Sequence, residues 1–294
     1  MDEAVGLIGL GNAGSALAEA LLRKTRVVGY DVDAKRVEVA KGLGVECVPS
    51  VEAVAAQVET VMLSLPKPDI SKAVVGALAG AENSPSRVIE TSTITPKVAR
   101  ELHATCQAEG IGFIDAAIGG GVQSMAAGEV TFLVGGDAGD VEAARPVLDL
   151  LARTIHHLGP VGAGSGAKVV NNGVMHALMV VLIEAGAMAK QLGIAMPTLV
   201  EILGRSDGIM RPLQHRFGDR MLAGNYDGGM SVSNARKDST LALETAQDLG
   251  VPLFATLAAH TPYEIAEQLG QGEMDYASLA KLWESWCGID FAEK

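Results

Sequence analysis

Apolar positions in the first half of the chain fall in short runs separated by stretches of helical spacing. Residues 4–8 form an unbroken apolar run of strand length, and residues 15–23 repeat their apolar positions at helical intervals. Residues 26–31 read as a second strand. The alternation continues through a strand at 45–48, a helix at 51–57, a strand at 60–64, a helix after Pro68, a strand at 88–91, a helix after Pro96 and a strand at 112–115. A strand at 130–134, a helix through 141–151 and a strand at 154–157 complete the series. Strands that alternate with helices predict a parallel, doubly wound sheet covered on both faces.

The pattern changes after residue 160. Gly162, Gly164 and Gly166 end a loop, and only the lone Gly173 and Gly186 interrupt helical periodicity before Gly193 and Pro197. One helix of about 30 residues is predicted, about 45 Å long at ~1.5 Å per residue, a length that serves as a spine between two lobes. Everything beyond it reads helical, with Pro197, Pro212, Pro252 and Pro262 near helix starts and Trp283 and Trp286 in core or interface packing. The expected architecture is α/β in residues 1–160 and all-α in residues 161–294, joined by the long helix.

Composition fits this plan and narrows the partners. With 294 residues, 48% hydrophobic and 20% charged, the chain has room for about two domains, each with its own core. A formal charge of -12 opposes nucleic acid and anionic membranes as partners, and an anionic substrate would need local basic residues against that field. Cys47, Cys106 and Cys287 lie far apart without paired or metal-type spacing, so reduced thiols in a cytoplasmic protein are expected, and no metal site. His156 and His157 are adjacent on a strand and point opposite ways. Met-Asp-Glu leads into the first strand without the basic region of an export signal, and Lys168, Glu184 and Lys190 interrupt the apolar part of the long helix. Neither export nor a membrane span is expected.

Candidate chemistry gathers at the ends of the predicted strands and at the head of the long helix. The first strand runs into Gly9-Leu-Gly11-Asn12-Ala13-Gly14 and then a helix, the context in which Gly-x-Gly-x-x-Gly holds a dinucleotide. The first glycine allows the tight turn, the second lets a pyrophosphate approach the backbone, and the third lets helix and strand pack closely, with phosphates at the helix N-terminus. Asp31 ends the second strand 17 positions after Gly14, where a Rossmann unit places the carboxylate that binds the adenosine ribose. Ligands in such sheets lie beyond the carboxyl ends of the strands, so Leu65-Pro66 and Ser92-Thr93 are placed at the cofactor, with plain turn chemistry as the alternative. Gly119, Gly120 and Gly121 leave bare N–H groups able to form an anion-binding concavity, or else a flexible loop. Lys168 and Asn172 share one face of the long helix among apolar neighbours. Lys168 either snorkels past the helix end into water or serves as a proton donor and acceptor, with Asn172 orienting a substrate oxygen. Lys237-Asp238 lies early in a helix that runs to residue 249, and Arg205, Arg211, His215 and Arg216 are further cations within reach of a carboxylate.

In their order along the chain, Gly6-Leu-Ile-Gly9-Leu-Gly11-Asn-Ala-Gly14, residues 115–121, residues 162–172 and residues 230–238 ending in Lys-Asp resemble the motifs of the β-hydroxyacid dehydrogenase family, which includes 3-hydroxyisobutyrate dehydrogenase and tartronate semialdehyde reductase. The resemblance implies hydride transfer between NAD(H) and a small hydroxy acid or its semialdehyde, without a metal, by a homodimer or homotetramer. It also implies roles: Lys168 as the catalytic lysine, Asn172 as the substrate-binding amide beside it, and Lys237 as the basic residue near nicotinamide and substrate. Burial and the like charge of Lys237 are the expected means of lowering the Lys168 pKa. Asp31 favours NAD over NADP, because a 2'-phosphate would meet its carboxylate, unless Lys35 or Arg36 swings to the phosphate. The chain departs from the family where Ala117 replaces a proline, Gly119 a serine, and Ser124-Met125 a common Gly-Ala. An imine reductase of the same superfamily is the enzymatic alternative, and Lys168 counts against it; a dinucleotide-sensing module without catalysis is the other, and Lys168, Asn172 and Lys237 together count against that.

Overall fold

The computed structural model describes residues 4–293. It forms two compact units divided between Gly173 and Val174, inside a long helix.

The first unit runs β1 (Val5–Ile8), α1 (Asn12–Leu22), β2 (Val27–Tyr30), α2 (Ala34–Leu43), β3 (Glu46–Cys47), α3 (Val51–Ala55), β4 (Thr60–Leu63), α4 (Pro68–Ala79), β5 (Arg87–Glu90), α5 (Pro96–Ala108), β6 (Gly112–Gly119), α6 (Val122–Ala127), β7 (Val130–Gly135), α7 (Ala138–Leu148) and β8 (Ala152–His157), then the first turns of α8 (Ala163–Gln191). These strands form one sheet in the order β3-β2-β1-β4-β5-β6-β7-β8. Leu7 of β1 joins Leu17, Leu21 and Phe132 on one face, while Ile8 joins Val54, Leu63 and Phe113 on the other. Successive strand residues point to opposite faces, so a strand covered on both sides is apolar throughout. Each large side chain fully buried in this way contributes about 1.5–3 kcal/mol. Helix starts follow local chemistry: Asp33 accepts from Lys35 N–H, Ser50 from Ala53 N–H, and Thr95 from Val98 N–H with Pro96 in the first turn.

The wholly parallel sheet expected from alternation is corrected at β7, which runs antiparallel to β6, while β8 is again parallel to β7. The link between β6 and β7, residues 120–129, is shorter than the dozen or so residues a parallel crossover takes. Strand β6 continues past Asp115 through buried Ala116, Ala117 and Ile118. Helix α6 escaped the sequence reading because it buries none of its residues and so has no apolar period.

The second unit contains the rest of α8, then α9 (Met196–Gly204), a π-helix (Pro212–Met221), α10 (Val232–Leu249), α11 (Phe254–Gln268), a 3-10 turn (Tyr276–Leu279) and α12 (Ala280–Cys287). It is helical, as expected, with one correction. Pro262 lies inside α11 rather than near its start. Trp283 and Trp286 meet edge-on with ring centroids 5.3 Å apart but stay 42% and 56% exposed, outside the core of this chain. Buried apolar clusters here are small, Val232, Ala266 and Leu282 in one and Tyr226, Ala277 and Ala280 in another. A fully buried Asp275 holds Arg216 and Arg220 of the π-helix at 3.2 and 3.6 Å.

Helix α8 is long and apolar enough to cross a membrane by length and composition, and 17% of its most apolar window is buried inside the chain. At most two of the charges named above fall within that window. One of them is used inside the unit: Glu184 accepts from Ala255 N–H at 2.7 Å, Thr256 N–H at 3.0 Å and the Thr256 hydroxyl at 2.8 Å, capping α11, whose own N-cap residue Leu253 offers no side-chain bond. Burial pushes the Glu184 carboxyl up, but the hydrogen bonds from the start of α11 outweigh it and hold it below the usual carboxylate range. A depressed carboxylate stabilises the fold above its unfolded pKa and ceases to do so as pH falls through its folded value. Glu184→Ala should therefore cost about 1–2 kcal/mol at neutral pH. Melting temperatures of the two proteins should differ most at neutral pH and converge below about pH 4; a gap independent of pH would contradict the assignment.

Candidate active site

The glycine turn between β1 and α1 is built as the motif requires. A Cβ at Gly9 would run into the Ser64 carbonyl oxygen, and one at Gly14 into the Gly9 carbonyl oxygen, so strand and helix meet at a distance only glycine permits. Gly9 also has φ +94°, a left-handed conformation that glycine adopts freely. Gly11 is different: the nearest atom to an added Cβ is the Arg36 guanidinium at 3.7 Å, and the space ahead is open. Gly11 is the N-cap of α1, without a side-chain cap bond or an acidic residue in the first turn, so the first amides of α1 are left for a ligand. They face a cavity of about 350 Å³ whose walls include Gly11, Asn12, Ala13, Asp31, Leu65 and Pro66. The bare amides, the open space at Gly11 and the acid at the far wall fit a dinucleotide's pyrophosphate and ribose.

Asp31 is 8% exposed and more firmly held than a simple ribose ligand. Its oxygens accept from Leu10 N–H at 2.7 Å and Asp33 N–H at 2.8 Å, and Arg36 lies 3.5 Å away. Each oxygen keeps a further lone pair for a hydroxyl. The contribution of Arg36 was legible only as a nearby cation; the structure puts its guanidinium between Asp31, Asp33 and the glycine turn. Ser92 and Thr93 are not among the residues that line this cavity. Ser92 is buried and accepts Leu65 N–H at 2.8 Å, holding the Leu65-Pro66 loop from behind, and Thr93 is exposed. Behind Ser92, the buried Glu90 accepts Ser92 N–H at 2.7 Å, and its carboxyl is raised by burial.

Lys168 and the glycine loop come together at the end of β6. The Lys168 ammonium donates to the Ile118 carbonyl at 2.7 Å, and Gly119, Gly120 and Gly121 follow directly. Lys168 is half-buried, and burial lowers its pKa from the ordinary lysine value. It does not snorkel freely into water. Gly120 has φ +124°, and Gly121 caps α6 without a side-chain bond, so this loop also presents backbone N–H groups. Asn172, half-buried, lies one turn after Lys168 and accepts from the Asn171 amide at 3.3 Å. Lys237 belongs to the second unit, exposed on α10 and paired with Asp238 at 3.1 Å. Among the described residues no group of His, Cys, Asp and Glu has the makings of a metal site. Sequence reasoning missed what holds the lysine helix: Asp115, with no exposed surface, accepts Gly162 N–H at 2.8 Å and Ser165 N–H at 2.6 Å. The signal was an acid inside the apolar stretch Phe-Ile-Asp115-Ala-Ala-Ile, since a buried acid requires partners.

A glycine turn opening on free helix amides, with an acid closing the next strand, makes the first unit a dinucleotide-binding domain. The profile for the NAD binding domain of 6-phosphogluconate dehydrogenase matches residues 4–159, and that for NAD-binding of NADP-dependent 3-hydroxyisobutyrate dehydrogenase matches residues 162–283. The chain belongs to the β-hydroxyacid dehydrogenase family. It is 31% identical over 291 residues to the NAD-dependent L-serine dehydrogenase of Pseudomonas aeruginosa, covering 95% of this chain and 97% of that protein. It is 29% identical over 289 residues to 2-(hydroxymethyl)glutarate dehydrogenase of Eubacterium barkeri, covering 97% and 96%. Among solved structures, 3-hydroxyisobutyrate dehydrogenase of Mycobacterium tuberculosis with L-serine aligns at 28% identity and a TM-score of 0.64, covering 96% of this chain and 99% of that one. An imine reductase from Pseudomonas sp. aligns at a TM-score of 0.87 with 20% identity over 96% and 99% of the two chains, a likeness of fold.

The Asp31–Arg36 pair makes the cofactor preference testable. NADH should be the better cofactor, since a 2'-phosphate must displace Arg36 from Asp31 and still lie beside the carboxylate. By leaving the Asp31 charge unscreened against the phosphate, Arg36→Ala should lower catalytic efficiency with NADPH about tenfold, about 1.4 kcal/mol, and leave NADH within a few-fold. Equal efficiencies of the unmodified enzyme with NADH and NADPH would show that Arg36 already serves the phosphate.

Proposed function

We propose that this protein interconverts a small β-hydroxy acid and its semialdehyde or keto form with NAD(H), Lys168 handling the proton. The observation that carries this reading is the half-buried Lys168 ammonium on the Ile118 carbonyl, at the head of a loop of three glycines. The dinucleotide, when bound, supplies or takes up the hydride. In reduction Lys168 Nζ gives its proton to the developing alkoxide; in oxidation the neutral amine takes the hydroxyl proton. Ile118 holds one N–H, which fixes the nitrogen while leaving its other positions to the substrate oxygen. The backbone amides from Gly119 to Gly121 suit a carboxylate, and Asn172 suits the oxygen under reaction. The named activities of the relatives, on L-serine and 2-(hydroxymethyl)glutarate, support a hydroxy acid substrate.

A panel of short β-hydroxy acids and their semialdehydes, followed by nicotinamide absorbance, tests the reaction; turnover of cyclic imines alone would replace it with imine reduction. Lys168→Ala should lower turnover about 100-fold or more while NADH still binds at the glycine turn. Because burial lowers the Lys168 pKa, oxidation should rise with pH and level off below the ordinary lysine range of about 10.4. Near-normal turnover by Lys168→Ala would end the proposed role.

We infer also that a second copy of the chain covers α8. Met175, Met179 and Ile183 recur every fourth residue and are 49%, 55% and 58% exposed, an apolar stripe too long to be left in water. Glu184 favours a protein partner over lipid, since its carboxylate is committed beside that stripe to capping α11. Symmetric dimers bury such self-complementary faces. Light scattering at micromolar concentration should give a multiple of 30.4 kDa; a monomer would contradict the inference.

A further inference from the structure

Strand β6 meets α8 at two points. At its middle, Asp115 accepts the N–H groups of Gly162 and Ser165, at 2.8 and 2.6 Å. These are amides that the start of a helix cannot satisfy from within. Three residues further along the strand, Ile118 accepts from Lys168 Nζ at 2.7 Å, and three residues further along the helix from Ser165 lies Lys168 itself. Between the points the contact leaves no slack. A Cβ at Gly164 would run into the Leu133 carbonyl oxygen and lie 2.7 Å from the Asp115 carbonyl oxygen, and one at Gly135 would lie 2.6 Å from Asp115 Oδ1. No side-chain group of α8 caps its own first turn among the described hydrogen bonds, so it is the Asp115 carboxylate that answers the amides there.

We propose that Asp115 is a positioning residue for Lys168: its two oxygens set where α8 begins against β6, and so where the Lys168 nitrogen lies relative to Ile118 and the glycine loop. This rests on Lys168 being the proton-transfer group. Asp115 touches neither substrate nor cofactor in this role. Both oxygens are needed. An asparagine presents one acceptor and turns its NH2 toward an amide that is itself a donor, so Asp115→Asn removes one hydrogen bond and opposes the other donor. A shift of about 1 Å at a reacting group is enough to cost 100-fold in rate.

The test pairs kinetics with a readout that needs no turnover. Lys168 is labelled with acetic anhydride across a pH series and quantified by mass spectrometry, giving its pKa directly, in the unmodified enzyme, Asp115→Asn and Asp115→Ser. Both keep a small polar side chain in the buried place, and the smaller Ser serves if Asn fails to fold. Expected are a 10- to 100-fold loss of kcat, KM and the NADH Kd within about threefold, and a Lys168 pKa moved up toward that of a free lysine as the ammonium leaves its half-buried place. Unchanged kcat and an unchanged labelling profile in a folded variant overturn the proposal. So does a loss of NADH binding as large as the loss of kcat, which marks general disruption. Lys168→Ala run in parallel separates the two readings. If it keeps turnover, the proposed proton transfer fails, while the labelling profiles still decide whether Asp115 positions Lys168.

Discussion

A buried carboxylate at the middle of one strand fixes the geometry on which the candidate chemistry depends. Asp115 has no access to water, and its oxygens answer two helix amides rather than a cation. Strand β6 then extends beyond it to the carbonyl that holds Lys168 and to the three glycines. One strand thereby ties together a helix terminus, a lysine and an anion-suited loop. The antiparallel entry of β7 contributes to this, because Gly119 stays paired with Thr131 while Gly120 turns away.

The cofactor end of the same sheet works by different means. There the protein offers backbone and space: Gly9 and Gly14 admit no side chain, and Gly11 keeps a channel open before the first amides of α1. Polar side chains mostly act on the protein itself. Asp31 ties the glycine turn to the next helix through Leu10 and Asp33, Ser92 holds Leu65, and Glu90 holds Ser92. For a chain of charge -12, binding an anionic dinucleotide this way makes sense, since amides at a helix start and a single Arg36 supply positive potential where it is needed.

The second unit is built with less apolar burial of its own. Its clusters are small, and much of its order comes from polar ties between elements, the Glu184 cap on α11 and the Asp275 pairs with Arg216 and Arg220. Along α8 it leaves Met175, Met179 and Ile183 exposed. That balance suits a unit completed by association.

Sequence alone determined the elements whose causes are local. The strand-and-helix alternation, the glycine turn, the acid after β2, the length of α8 and the pairing of Lys168 with Asn172 on one face all follow from periodicity and the chemistry of single residues. What it could not determine depends on groups distant along the chain. The direction of β7 follows from the short link and the place of β6 in the sheet. The hold of Ser92 on Leu65 joins groups 27 residues apart. The partners of Asp115 lie 47 and 50 residues on, and the carbonyl that holds Lys168 lies 50 residues back. Helical and strand periods carry no information across such separations. Tertiary packing alone chose the partners, because a buried donor or acceptor must be satisfied by whatever group the fold brings within hydrogen-bond distance.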